Sequence, residues 1–142
     1  MSTSTSLSQS PNRLLGIVVG IIFLLIGLLG FFIATPYPFA TPQGGVLIGL
    51  FASNALLASI HVVIGGFLLI CALAARLPAK IVNFIVGIGL FAFGVFGLFA
   101  SDTSANIFAI NSADTVLHFL AGLLLAVAAL ATDKVLFQPK TA

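Results

Sequence analysis

Two short stretches of the chain contain the residues whose types and spacing are suited to chemistry. The recurring set is Asn54, His61 and Gly65 in SNALLASIHVVIGG, and Asn111, His118 and Gly122 in NSADTVLHFLAGL. Imidazole groups can share hydrogen bonds, handle protons or ligate metals. Because a polar side chain inside a lipid bilayer is costly, each member of the set is a candidate functional residue.

The segments that carry these residues are strongly apolar. Of the 142 residues, 61% are hydrophobic and 6% are charged, against about 25% charged in soluble domains. A soluble protein of this size could not cover so much apolar surface, so we expect lipid to be the solvent. Each of four apolar runs approaches the ~20 residues that cross a bilayer. The runs are 14–34, 54–75, 81–100 and 112–132. Since the alternation of a barrel strand is absent, the sequence predicts an all-α integral membrane four-helix bundle.

The basic residues predict the orientation of the bundle. They are Arg13, Arg76, Lys80, Lys134 and Lys140. All fall in a flexible tail predicted at 1–13, a turn predicted at 76–80 or a tail predicted at 133–142, which the positive-inside rule places in the cytoplasm. We therefore expect a multi-pass protein of a bacterial plasma (inner) membrane or a thylakoid-type membrane, with both termini cytoplasmic. Five scattered charges do not form a nucleic-acid surface, so the bilayer is the expected partner.

The chain reads as an internal duplication within one structural domain. The second and fourth spans superimpose in a register that aligns His61 with His118, and the first and third in a register that aligns their glycines. The repeats predicted are 14–75 and 81–132, and both would enter the membrane in the same direction. Such parallel repeats are related by a pseudo-twofold axis along the membrane normal. This axis would place His61 and His118 at equivalent depths.

The same spacing defines a stripe of small and polar residues on each helix. Stepping by four and three residues from Asn54 reaches His61 and Gly65, and the equivalent steps from Asn111 reach His118 and Gly122. Small residues let helix backbones approach closely in lipid. The glycines expected to pack closely are Gly65 and Gly122, with Gly20, Gly27 and Gly30 on the first span and Gly87, Gly94 and Gly97 on the third. Ser112 is the expected N-cap of the fourth span, with Asp114 in its first turn.

One part of this pattern resembles a known family. The portion Asn–Ser–Ala–Asp–x–x–Leu–His–x–x–x–Gly runs from Asn111 to Gly122, with a weaker echo in NALLASIHVVIGGF. It resembles the bacterial family called domain of unknown function 4383, whose members are small four-helix membrane proteins. The resemblance covers about 14–132 and implies that fold, without an established activity. Leu57 and Ala58 depart from the family pattern, which often has a further polar pair there.

The simplest function for the paired residues is structural. Hydrogen bonds from His61 and His118 to the asparagines or to backbone carbonyls would join the two repeats. The sequence then describes a non-enzymatic structural or accessory component, within a larger membrane complex or a homo-oligomer. No nucleophile–base pair, paired carboxylates or phosphate loop indicates catalysis.

Three other functions stay open from the sequence. Both histidines could ligate one haem, or each could ligate a chlorophyll, with Gly65 and Gly122 leaving room for a flat ring. Asp114, four residues before His118, could orient that imidazole for proton handling. An oligomeric small transporter or channel is the third. A metal site lacks ligands, since two histidines have no nearby Cys or Glu.

Overall fold

The fold is a bundle of four helices. The computed structural model of the protein describes residues 9–133. Its helices are α1 (Pro11–Ala34), α2 (Ala55–Ala74), α3 (Arg76–Ala100) and α4 (Ser112–Ala131). All four are long and apolar enough to cross a membrane. The expected four-helix architecture is therefore confirmed, and the length and composition of the helices indicate a multi-pass membrane protein.

The termini of the bundle differ slightly from the predicted spans. α1 begins at Pro11, three residues before the predicted start, so the last part of the tail predicted at 1–13 is helical. Ser10 caps the helix by accepting a hydrogen bond from Arg13 N, and proline suits the first helical position because its missing N–H has no intrahelical partner. The rest of that predicted tail, 1–8, lies outside the described residues, as do 134–142 with Lys134 and Lys140.

The turn predicted at 76–80 is wrong, because α3 begins at Arg76. Only Ala75 separates α2 from α3, and its extended backbone (φ −164°, ψ 170°) reverses the chain. The prediction followed the gap between the apolar runs, which contains Pro78. Here it is the third residue of α3, within the first turn, where the backbone N–H groups have no intrahelical acceptor and a proline is tolerated.

A short β-hairpin, which the sequence did not predict, lies between α1 and α2. Strand β1 (Gly45–Leu47) pairs antiparallel with β2 (Phe51–Ser53), with Val46 opposite Ala52. Gly45 packs so closely on the end of α1 that a Cβ there would collide with the backbone of Ile33. The hairpin is thereby held against the bundle, at what we call the loop end (residues 35–54 and 101–111).

The helices pack as two close pairs. α1 contacts α2 most extensively, and α3 contacts α4 to a similar extent, whereas α2 and α4 lie on the wide diagonal with no Cα–Cα distance of 8 Å or less. Phe23, Leu68, Leu90 and Leu125 fill the centre and are at most 3% exposed. Many other large apolar side chains point outward, as expected for surfaces in contact with lipid.

Candidate functional site

Asn54 and Asn111 begin the two helices that carry the histidines. The Asn54 side chain accepts a hydrogen bond from Leu57 N at 3.0 Å and so caps α2. Asn111 accepts one from Asp114 N at 2.9 Å, while Asp114 Oδ2 accepts one from Asn111 N at 3.1 Å. This reciprocal pair is a capping box, so the N-cap of α4 is Asn111 and the expected Ser112 cap is wrong.

The amide groups of both asparagines cross between the two halves of the chain. Asn54 Nδ2 donates to Thr41 O and to Ile107 O, each at 2.8 Å. Asn111 Nδ2 donates to Leu50 O at 2.9 Å. The sequence alignment that pairs Asn54 with Asn111 also pairs Leu50 with Ile107, the two residues whose carbonyl groups accept these crossing bonds. Each helix start is therefore attached to the loop of the opposite half.

His61 and His118 meet directly across the wide diagonal. Their Nε2 atoms are 3.2 Å apart, and the side chains are 1% and 0% exposed. The two rings are nearly parallel, with an interplanar angle of 19° and 5.2 Å between centroids. The structure thus brings the two candidate histidines into one contact, each as the other's partner.

The hydrogen bonds around the rings define where the protons lie. His118 Nδ1 is 2.6 Å from Asp114 O, and because a carbonyl oxygen only accepts, His118 Nδ1–H is the donor. In a neutral imidazole the other nitrogen then accepts, so His61 Nε2–H donates to His118 Nε2. This leaves His61 Nδ1 as an acceptor that is buried and has no hydrogen-bond partner among residues 9–133.

Aromatic rings surround the histidine pair. Phe23 contacts both rings edge-on, with centroid distances of 5.1 Å to His61 and 5.9 Å to His118. Phe93 lies 4.8 Å from His118. Within residues 9–133, no group of three or more His, Cys, Asp and Glu side chains is arranged to hold a metal ion. The two imidazoles are therefore buried polar groups in a largely aromatic and apolar surrounding.

The Asp114 carboxylate accepts hydrogen bonds from backbone N–H groups at the loop end. Its Oδ2 accepts hydrogen bonds from Asn111 N and, at 3.0 Å, from Ala52 N of the hairpin. The group that orients His118 is the backbone carbonyl of Asp114, whereas the sequence suggested its side chain. The carboxylate thus connects α4 to β2, and the imidazole is positioned by the helix backbone.

The glycines that were expected to pack closely lie at helix crossings. A Cβ on Gly65 would lie 2.5 Å from Leu24 N and 2.7 Å from Gly20 O. The values for Gly122 are 2.5 Å to Phe91 N and 2.7 Å to Gly87 O. Added Cβ atoms would also meet neighbouring helices at the other positions, which are Gly20, Gly27, Gly30, Gly87, Gly94 and Gly97. At Gly65 and Gly122 the obstructing atoms belong to backbone, so a side chain there would block the approach of the two helices.

A second polar cluster, which the sequence reading missed, lies at the opposite end of the bundle. We call this the basic end, defined by Arg13, Arg76 and Lys80. Asp133 Oδ2 accepts hydrogen bonds from Ser10 Oγ at 2.8 Å, Asn12 N at 3.0 Å and Asn12 Nδ2 at 2.9 Å. Asn83 Nδ2 donates to Asn12 O at 2.9 Å. In the sequence, the one indication of this cluster is that Asn83 lies on the small-residue stripe of α3.

The charge of Asp133 is stabilised in this cluster. Its side chain is 2% exposed, and Arg76 Nε lies 3.6 Å from Oδ1. Burial alone would raise the pKa of Asp133, but hydrogen bonds from Asn12 and Ser10 and the Arg76 guanidinium outweigh it and hold the pKa below its ordinary value. The carboxylate consequently fastens the start of α1 to the end of α4.

Two cations cap the ends of α2 and α4 at the basic end. Arg13 Nε donates to Ala72 O at 2.7 Å, and Arg13 Nη2 donates to Leu73 O at 2.9 Å. Lys80 Nζ donates to Thr132 O at 2.8 Å and to Asp133 O at 3.1 Å. The last carbonyls of a helix lack intrahelical donors and carry its negative dipole end, so cations are favoured there.

The loop end holds a polar cavity of about 420 Å³. Tyr37, Gln43, Asp102 and Asn111 are among the residues that line it. A smaller apolar cleft of about 290 Å³ lies between α2 and α3 and reaches His118 beside Phe93 and Gly89. Both ring nitrogens of His118 are already engaged, so the cleft meets the edge of a satisfied imidazole.

Comparison with known proteins identifies a family. No curated protein and no solved structure matched the chain significantly. Residues 13–131, however, match the family described as Domain of unknown function (DUF4383). The match includes all of α2, α3 and α4, both histidines and both asparagines. The resemblance noted in the sequence is confirmed, and the chain belongs to the DUF4383 family.

Proposed function

We propose that this protein is a non-enzymatic structural component of a membrane, acting as an accessory subunit of a larger membrane complex. The observation that carries the proposal is the direct contact between His61 Nε2 and His118 Nε2 at 3.2 Å. These nitrogens are the chain's most obvious reactive groups, and each is used to hold the other. Asn54, Asn111 and Asp114 are similarly engaged in helix caps and crossing bonds.

The proposal includes an origin from two parallel two-helix repeats. The contacts of Gly65 with Gly20 and Leu24 match those of Gly122 with Gly87 and Phe91, position for position in the aligned halves. Likewise, Arg13 aligns with Lys80 in the register of the first and third spans, and the two cations cap equivalent helix ends. These correspondences support a pseudo-twofold axis that passes near the histidine pair.

The proposed orientation places the basic end in the cytoplasm. Arg13, Arg76 and Lys80 gather there, whereas Asp102 and Asp114 lie toward the loop end. Positively charged residues are concentrated on the cytoplasmic side of bacterial membrane proteins. A plasma (inner) membrane or a thylakoid-type membrane is the proposed location.

The histidine geometry argues against a tetrapyrrole at this position. If both histidines held the metal of one tetrapyrrole, the metal and its ring would have to lie between two nitrogens that already share a hydrogen bond. The Nε2 atoms are 3.2 Å apart, and Phe23 packs against the edges of both imidazoles. A single chlorophyll on His118 would have to displace His61.

A double-mutant cycle tests the structural function of the pair. We expect His61→Leu and His118→Leu each to lower the free energy of unfolding in detergent micelles. Their coupling should be about 0.6 kcal/mol and at most ~1.7 kcal/mol, the range for polar contacts between membrane helices. Ser59→Ala is the control, because its hydroxyl donates to Ala55 O of the same helix and, in the described part of the chain, makes no bond to another helix. Its coupling to His118→Leu should be close to zero.

Absorption spectra and native mass test the remaining parts of the proposal. Gently purified protein should be colourless, and a Soret or Qy band that disappears in both histidine variants would contradict the structural function. Electrophoresis of mildly solubilised native membranes should place the chain in a complex with other subunits. Ion or solute flux through liposomes that contain only this chain would instead indicate a transporter or channel.

A further inference from the structure

A groove between α3 and α4 at the basic end combines an apolar floor with one cation. Its volume is about 470 Å³, and its lining is apolar except for Lys80. Leu77, Ile81 and Phe84 of α3 form one wall, and Leu130 of α4 forms the other. All four of these side chains are between 38% and 72% exposed, so the groove opens on the surface that faces lipid. A groove of this kind suits an acyl chain.

Lys80 lines this groove at the basic end of the bundle. Its ammonium group donates two hydrogen bonds, to Thr132 O and Asp133 O, and is thereby fixed on the end of α4. An ammonium group has three donors, and within residues 9–133 the third has no acceptor. A held cation with a spare N–H is suited to an anionic oxygen atom.

The surrounding charge also favours an anion. Arg76 lies four residues before Lys80 on α3, and its side chain is 33% exposed. The carboxylate in this region, Asp133, is 2% exposed and is directed at Ser10 and Asn12. Two cations, Arg76 and Lys80, therefore lie beside one buried carboxylate at this end of α3. Basic pockets between membrane helices bind anionic lipid head groups for this reason.

We propose that the α3–α4 groove binds one anionic glycerophospholipid. The phosphate lies against Lys80, with Arg76 adjacent, and one acyl chain follows the groove past Ile81 and Phe84 toward the bilayer centre. Charge complementarity selects the anionic head group, because a zwitterionic lipid would bring its own ammonium group close to two fixed cations. The lipid would thereby be bound to the same part of α3 that holds the end of α4.

A tryptophan reporter can measure this binding, since the chain contains no tryptophan. Leu130→Trp places the reporter on the groove wall, at a position where the side chain is 72% exposed. Phe99→Trp, at a position 77% exposed near the loop end of α3, reports on bulk lipid. Quenching is measured in mixed vesicles with dibrominated phosphatidylglycerol or phosphatidylcholine, matched in acyl chains.

Preference for phosphatidylglycerol should be confined to the groove. For Leu130→Trp we expect about five-fold stronger association of phosphatidylglycerol than of phosphatidylcholine, the factor that corresponds to ~1 kcal/mol for one cation at a membrane surface. Phe99→Trp should give a ratio close to one. Adding Lys80→Gln to the Leu130→Trp chain should abolish the preference, and Lys80→Arg should keep it. Arg13→Gln, which removes the corresponding cap from the other half, should leave the ratio unchanged.

The following results would overturn the proposal. One is equal quenching of Leu130→Trp by the two lipids, and another is the same lipid preference at Phe99→Trp. A third is an unchanged preference after Lys80→Gln in chains that retain native helix content. A further one is loss of the preference when inorganic phosphate is added at constant ionic strength. The last would identify a phosphate-ion site. A Leu130→Trp reporter that neither lipid quenches would also contradict it, because a second protein chain would then cover the groove.

Discussion

Adding one methyl group at Gly65 should separate α1 from α2. The new Cβ would lie 2.5 Å from Leu24 N, whereas ordinary contacts begin at 3.4 Å, so the helices must move apart by about 0.9 Å. The obstructing atoms belong to backbone, which has no rotamer to change. Overpacking of this kind costs about 1–3 kcal/mol. Gly65→Ala should therefore lower the free energy of unfolding by about that amount, after correction for helix propensity.

The neighbouring Gly66 provides that correction. Nothing lies within 4 Å of a Cβ built there, and Gly66→Ala changes the propensity of the same helix by the same ~1 kcal/mol. The assay is chemical unfolding in detergent micelles, followed by circular dichroism. Gly65→Ala should unfold at lower denaturant concentration than Gly66→Ala, and Gly122→Ala should behave like Gly65→Ala because its distances are the same. Equal stability of Gly65→Ala and Gly66→Ala would refute the close-packing argument.

The remaining predictions concern the two ends of the bundle. The folded-state pKa of Asp133 is lowered, so its stabilising contribution is present above about pH 4 and is lost as the pH falls through that pKa. Asp133→Asn should cost about 1–3 kcal/mol at pH 7 and weaken the acid dependence of unfolding, whereas an unchanged pH profile would contradict this. At the loop end, Asn54→Ala should destabilise more than Asn111→Ala in thermal unfolding, because the Asn54 amide makes two bonds to the loops and the Asn111 amide makes one. Asn54→Asp keeps the capping oxygen but turns a carboxylate oxygen toward Thr41 O and Ile107 O, which are both acceptors, so it should not restore the lost stability. Full recovery would exclude the crossing bonds as a source of stability.

The helices and the inward position of the histidines could be predicted from the sequence. Both predictions are strong because the bilayer core offers no water to the backbone. An apolar run of ~20 residues can satisfy its backbone hydrogen bonds there only as a helix. The small-residue spacing from Gly65 and Gly122 then shows which face of each helix meets a neighbour. That His61 and His118 would contact each other required coordinates, since facing inward does not fix a 3.2 Å distance across a diagonal.

The polar cluster at the basic end escaped prediction because its members are scattered along the chain. Asn12 and Asp133 are 121 residues apart and lie at opposite ends of the described sequence. Asn12 falls in a Ser/Thr-rich segment, where polar residues carry no information about burial. The polar residues between the second and third apolar runs indicated a turn where the first turn of α3 lies. Both errors arise at helix ends, where too few apolar residues recur for their spacing to predict the structure.

The histidine contact also bears on why two halves should be joined in one chain. A hydrogen bond between two identical side chains cannot itself be symmetric, because its proton belongs to one of the two nitrogens. In a dimer of identical two-helix chains, either partner could be the donor, and the two arrangements would have equal energy. Here the carbonyl of Asp114 engages His118 Nδ1–H and makes His61 the donor. Covalent linkage thus gives a pseudosymmetric contact a fixed direction.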